Sequence, residues 1–143
     1  MKSTYKKILL IVVVLAALAG GGLYWYTFMQ PQKNMQKASP DYKLTAKNIF
    51  SEFSENETAA NTKYLGKVVE LTGKVEEVKN ENNQTAIVLE DMLFGVSAYL
   101  DSTYCAANPE VLQAINEGQT VTIRGQCDGM LNDVIISRAV VIQ

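Results

Sequence analysis

From Ile8 to Met29 the chain reads ILLIVVVLAALAGGGLYWYTFM, with no charged side chain. A helix rises 1.5 Å per residue and a hydrocarbon core is about 30 Å thick, so about 20 such residues cross a bilayer. The run is therefore expected to form a single membrane span. Lys2, Lys6 and Lys7 precede it. Basic flanks stay cytoplasmic and aromatic residues favour the interface, so Tyr24, Trp25 and Tyr26 would mark the far side, with all later residues outside. A cleaved signal peptide is the rival: a short basic region, an apolar core, and the small residues Ala17 to Ala19 before Gly20. The apolar stretch continues through Leu23 to Met29, past that cut, which favours an uncleaved anchor over residues 1–29. The lipidated cysteine of a bacterial lipoprotein is absent, because Gly20 and Gly21 follow Leu18-Ala19. A third reading, a buried core helix, would carry Gly20 to Gly22 mid-helix at up to about 1 kcal/mol each against alanine.

Residues 30–44 are polar, contain Pro31 and Pro40 and show no periodicity, so they read as a linker. Charge divides at the same place. The overall balance is 13 basic against 15 acidic residues; the first 40 residues hold five lysines and no acid, leaving 8 basic against 15 acidic, a net of −7, from Asp41 onward. Nucleic-acid binders must neutralise phosphates, and this balance, with no visible basic patch, opposes that role. The sequence contains no histidine. Ser-His-Asp and Cys-His catalysis and most zinc sites are thereby removed, and no catalytic residue, metal ligand or cofactor is assigned.

Residues 45–143 carry the patterns of a folded domain. Thr45 is a candidate N-cap for a short helix, with Leu44 stapled to Ile49, and Ile49, Phe50 and Phe53 on one face. These apolar residues read as core. The first strand is expected over Tyr64 to Lys79, with Val69, Leu71, Gly73 and Val75 alternating onto one face. Val78 then falls out of phase. A strand glycine followed by a slip is the mark of a coiled, bulged strand that serves two sides of a small barrel. Asn80 to Gln84 turn the chain into a second strand, Thr85 to Glu90, and a third, Phe94 to Leu100. In the third, Phe94, Val96, Ala98 and Leu100 share one face and Ser97 and Tyr99 the other. Asn108, Pro109 and Glu110 open a small helix that Gly118 closes, and Val111, Leu112 and Ile115 give it an apolar side. The fourth strand places Val121, Ile123, Gly125 and Cys127 in phase; the fifth, Asp133 to Ile142, is mostly apolar and expected to be covered on both faces.

A mainly β protein follows: five strands with a short helix between the third and fourth, preceded by an N-terminal helix and a transmembrane helix. This is the connectivity of the OB-fold barrel. Lys63 to Val78 (KYLGKVVELTGKVEEV), Gly95 to Asp101 (GVSAYLD) and Gly118 to Ile142 (GQTVTIRGQCDGMLNDVIISRAVVI) resemble the tRNA-anti-like family of OB-fold domains, found in bacterial proteins. The resemblance covers roughly Thr45 onward and implies the same barrel. A bacterial inner-membrane location then follows, single-pass with the domain facing the periplasm, or secretion if the segment is cleaved.

OB-folds usually bind ligands on the second and third strands and the first-second and fourth-fifth loops. Here that face would hold Ser97, Tyr99, Tyr104, Asn82, Met130, Leu131 and Asn132. Single-strand stacking needs several aromatics, and only Tyr99 and Tyr104 are available. The expected partners are the membrane, through the N-terminal helix, and an envelope protein, peptide or glycan. Cys105 and Cys127 are expected to pair as a disulfide in an oxidising compartment. Asp128 to Asp133 lack the oxygen spacing of a calcium loop and read as a hairpin turn. Glu76/Glu77 and Glu90/Asp91 are adjacent, so on strands they point to opposite faces and form no catalytic pair.

Overall fold

The structure is a computed structural model that describes residues 2–29, 33–90 and 95–142. Two compact units are present, residues 1–33 and 34–143. In the first, α1 (Lys2–Phe28) runs unbroken through the three glycines. Its span from Thr4 to Phe28 has a mean hydropathy of 2.4, long and apolar enough to cross a membrane. The apolar surface goes all round the helix, which fits an anchor or a signal sequence.

The second unit contains β1 (Tyr42–Thr45), α2 (Ala46–Glu55), α3 (Glu57–Tyr64), β2 (Val68–Glu81), β3 (Gln84–Leu89), β4 (Val96–Leu100), α4 (Ser102–Ala107), α5 (Pro109–Ala114), β5 (Thr120–Met130) and β6 (Val134–Val141). The strand order is β1-β2-β3-β4-β6-β5, and a β2–β5 pairing closes β2 to β6 into a five-stranded barrel. This is the OB-fold connectivity, with β1 added in parallel on β2.

Barrel closure depends on β2. Its residues 68–74 pair with β5, and from Val75 onward it pairs with β3. The register shifts between Val75 and Glu77, which is the bulge that the phase slip at Val78 predicts. Just before it, Gly73 lets α2 approach: a Cβ there would lie 2.9 Å from the Ala46 Cβ and 3.3 Å from the Leu89 Cβ. Val69, Leu71 and Val75 point inward and meet Ile87, Leu89, Val96, Ala98, Val121, Ile123, Cys127 and Ile136 in one core. The α2 face of Ile49 and Phe53 plugs the same core, and each such side chain contributes about 1.5–3 kcal/mol by burial. Thr45 caps α2 as expected, its Oγ1 accepting the Asn48 N–H at 3.2 Å.

Several local expectations are corrected. Tyr64 ends α3 instead of starting a strand, and β2 begins at Val68. Asn56 starts α3 by accepting the Ala59 N–H, and Tyr64 is 1% exposed with its hydroxyl donating to Glu52. Residues 34–44, read as linker, are docked. Met35 is buried, Asp41 exchanges hydrogen bonds with Val68, and Arg124 donates to the carbonyl oxygens of Met35, Gln36 and Ala38. The same guanidinium pairs with Glu70 at 2.6 Å, holding that carboxylate below its ordinary pKa. Asn108 does not cap α5 with its side chain; its amide donates to the Tyr104 carbonyl and closes α4.

The expected disulfide is not formed: Cys105 and Cys127 are free thiols. A disulfide requires close Cα atoms and converging Cβ directions, which sequence separation does not supply. Cys127 is fully buried on β5, its backbone bonded to Gly66 and Lys67, and Cys105 rides half-buried on α4. Burial raises the pKa of both thiols. Phe94, assigned to the third strand's inner face, and Asp91, assigned to an acid pair, lie outside the described residues.

Candidate functional site

The side of β3 and β4 turned away from the core, with the β2–β3 and β5–β6 turns, is the expected binding face; β6 borders it, and Ala86, Val88 and Ser97 on that side are themselves buried. Cross-strand register places Glu77, Val88, Ser97 and Ile135 in one row, and Lys79, Ala86 and Tyr99 in the next. Because directly paired residues share a face, these side chains lie opposite the core residues Ile87, Val96 and Ala98. The rows run between two turns. Asn82 and Asn83, with φ of 50° and 65°, make one; Leu131 to Asp133 make the other, beyond the far end of β3. The five residue steps of β3 separate them by about 17 Å.

Most of the seven candidate residues have specific structural fates. Ser97 is 8% exposed and donates a 2.6 Å hydrogen bond to Asp133, tying β4 to the far turn. Tyr99 is half-buried in the second row, and Asn82 and Asn132 are exposed in the turns. Met130 folds back onto the core, whereas Leu131 is 85% exposed at the tip. Tyr104 is not brought to this face. It is buried on α4 with Met35, Val68 and Val140, its hydroxyl donates to the Val141 carbonyl, and burial raises its pKa. One aromatic, Tyr99, therefore remains of the two expected stacking platforms.

The electrostatics of the face are mixed and lean acidic. Glu77 and Lys79 form an ion pair at 3.4 Å, and Asp133 accepts from Ser97. Among the described residues no group of three or more His, Cys, Asp or Glu side chains is placed to hold a metal ion.

A cleft that the sequence did not reveal lies at the Asn83 end of the face. Its volume is about 330 Å³, and Asn83, Gln84, Leu100, Asp101, Ser102, Ser137 and Arg138 line it. Arg138 enters it because β6 carries one residue more than either neighbour: Ala98 and Leu100 pair with Ile136 and Ala139, and Gln126 and Arg124 with Ser137 and Val140. Gly125 makes the bulge feasible. A Cβ on Gly125 would sit 2.5 Å from the Ile136 Cγ2 and 2.8 Å from the Ser137 carbonyl oxygen. Arg138 takes φ of 50°, a region that long side chains avoid. A bulge within a mostly apolar strand leaves almost no mark in the sequence, because there is no strict alternation for it to interrupt.

The tRNA_anti-like family model matches residues 1–141. The chain belongs to the tRNA_anti-like family. Among solved structures, this tRNA_anti-like protein is similar to one described as "putative nucleic acid-binding lipoprotein" from Klebsiella pneumoniae, with TM-score 0.59 and 17% identity over 80% of this chain and 100% of that one. The Stn1–Ten1 complex of S. pombe gives TM-score 0.42 at 8% identity, covering 53% of this chain and 58% of that one. An OBody bound to hen egg-white lysozyme gives 0.45 at 15% identity, covering 57% and 86%. No curated protein matches the sequence. At these identities the first likeness shows the fold. The tRNA_anti-like assignment and the closed barrel together support a binding module.

Proposed function

We propose that this tRNA_anti-like protein is a membrane-tethered, extracytoplasmic binding module that takes an envelope protein, peptide or glycan on the β3-β4 face and performs no catalysis. The observation that carries the ligand class is the composition of that face. Among the described residues it offers Tyr99 as its one aromatic, together with Glu77, Lys79 and Asp133, with Ser97 buried beneath and bonded to Asp133, on a domain of net −7 from Asp41 onward. Such a surface suits hydrogen bonding and apolar contact better than a phosphate backbone. The apolar α1 supports tethering, with Lys2, Lys6 and Lys7 on the cytoplasmic side. A photo-crosslinker at position 99 of the full chain in its own membranes is expected to capture a defined envelope component. Loss of capture when Leu131→Ser or Asn82→Ala is added would map the face, and capture of nothing above a surface control at position 47 would refute it.

Oligonucleotide binding is the second reading, favoured by the printed name of the Klebsiella lipoprotein. It requires single-strand affinity that falls steeply with salt. A labelled oligonucleotide showing no shift with the full chain at low salt excludes it.

A further inference from the structure

Both arginines of the chain lie on barrel strands, and their circumstances are opposite. Arg124 is saturated: it pairs with Glu70 and donates to three carbonyl oxygens. Arg138 has no hydrogen bond or ion pair among the described residues, although Asp101 lines the same cleft. Asp101 has one oxygen committed, Oδ1 accepting the Tyr104 N–H at 2.9 Å. The cleft is thus lined by a guanidinium-bearing and a carboxylate-bearing residue that form no ion pair with each other, with Asn83, Gln84, Ser102 and Ser137 beside them.

The backbone around the cleft is held away from its relaxed form. Arg138 at φ 50° and Asn83 at φ 65° both occupy the left-handed region. Asn adopts that region with little difficulty; Arg does not, and such conformations persist where the surroundings over-determine them. The bulge on Gly125 is that constraint, and bulges re-aim side chains out of the ladder.

We propose that this cleft is a subsite for a small carboxylate-bearing ligand, its carboxylate paired with the Arg138 guanidinium and its hydroxyl or ammonium donors taken by Asp101. The proposal rests on the binding-module reading and gives it a ligand chemistry. Guanidinium matches a carboxylate with two parallel N–H···O bonds. Asp101 and the acidic domain disfavour a doubly charged phosphate and suit a monoanion or zwitterion. A volume of about 330 Å³ accommodates one sugar ring or a dipeptide end.

The test is calorimetric titration of the full-length chain in detergent micelles with four probes: glucuronate, glycylglycine, inorganic phosphate and uncharged glucose. Glucuronate against glycylglycine separates an acidic sugar from a peptide end as the carboxylate source. At least one of these two is expected to bind, and phosphate and glucose to bind more weakly or not at all. Arg138→Asn relieves the backbone and removes the charge, so its thermal midpoint should equal or exceed that of the parent while carboxylate affinity falls about tenfold or more. Arg138→Lys should retain part of the affinity, as a point charge without the fork. The proposal is overturned if neither carboxylate binds, if phosphate binds best, or if Arg138→Asn binds like the parent. Crosslinking from position 99 separates the two failures: capture that persists in Arg138→Asn with no carboxylate binding refutes the subsite and leaves the module reading standing.

Discussion

Cys127 is fully buried and Cys105 half-buried, and burial raises both thiol pKa values. Since the thiolate is the nucleophile, neither reacts readily at neutral pH. Alkylation without reductant is expected to modify both cysteines after denaturation, whereas native protein should leave Cys127 unmodified and label Cys105 slowly; mass spectrometry reads both states. Glu70 provides the acid-sensitive counterpart. Its hydrogen bond with Arg124 lowers its pKa in the folded state, so the stability it adds is present above the unfolded carboxylate value of about 4.3 and is lost as pH falls through the folded value. Melting temperature measured against pH should drop on that acidic side, and Glu70→Gln should flatten the acid limb while lowering stability at pH 7.

The paired elements β5 and β6 depend on Gly125, because Ile136, Ser137 and Ala139 occupy the space of its missing side chain. Gly125→Val forces the bulge out and should cost about 3 kcal/mol in urea unfolding; Gly73→Ala, pressing on Ala46, should cost about 1–3 kcal/mol. How far these elements could be read in advance depended on where their information lies. The two-residue alternation of Val69, Leu71 and Val75 and its slip at Val78 are written in adjacent residues, so β2 and its bulge were legible. Residues Glu57 to Tyr64 bury only Ala60 and Tyr64, too narrow a stripe to announce α3, although Asn56 followed by Glu57 is a cap signal. Segment 34–44 docks through carbonyl oxygens that meet Arg124, some 86 to 89 residues away, and main-chain acceptors have no sequence signature. Arg138 was hidden for a related reason: its place in the cleft comes from an extra residue in register, visible only when both neighbouring strands are aligned.

For the whole molecule, β2 belongs to both sides of the barrel, so the sheet cannot lose that strand without opening two seams. Unfolding of residues 34–143 is therefore expected as a single transition, with hydrogen exchange slowest in β2 and β5 and no separately melting hairpin. The Arg124 clamp participates in this unity. Arg124→Met leaves Glu70 without its main partner and frees three carbonyl oxygens, and should cost about 3 kcal/mol, measured by urea unfolding. The clamp also bears on how the domain is expected to meet mechanical force. Any pull from the N-terminal side reaches residues 34–45 before the barrel, where Met35, Arg124, the Asp41–Val68 exchange and the parallel β1–β2 ladder must all yield. A pull therefore loads this stitching before it loads the closed barrel, so tension from that side is taken first by hydrogen bonds that lie outside the barrel ladders.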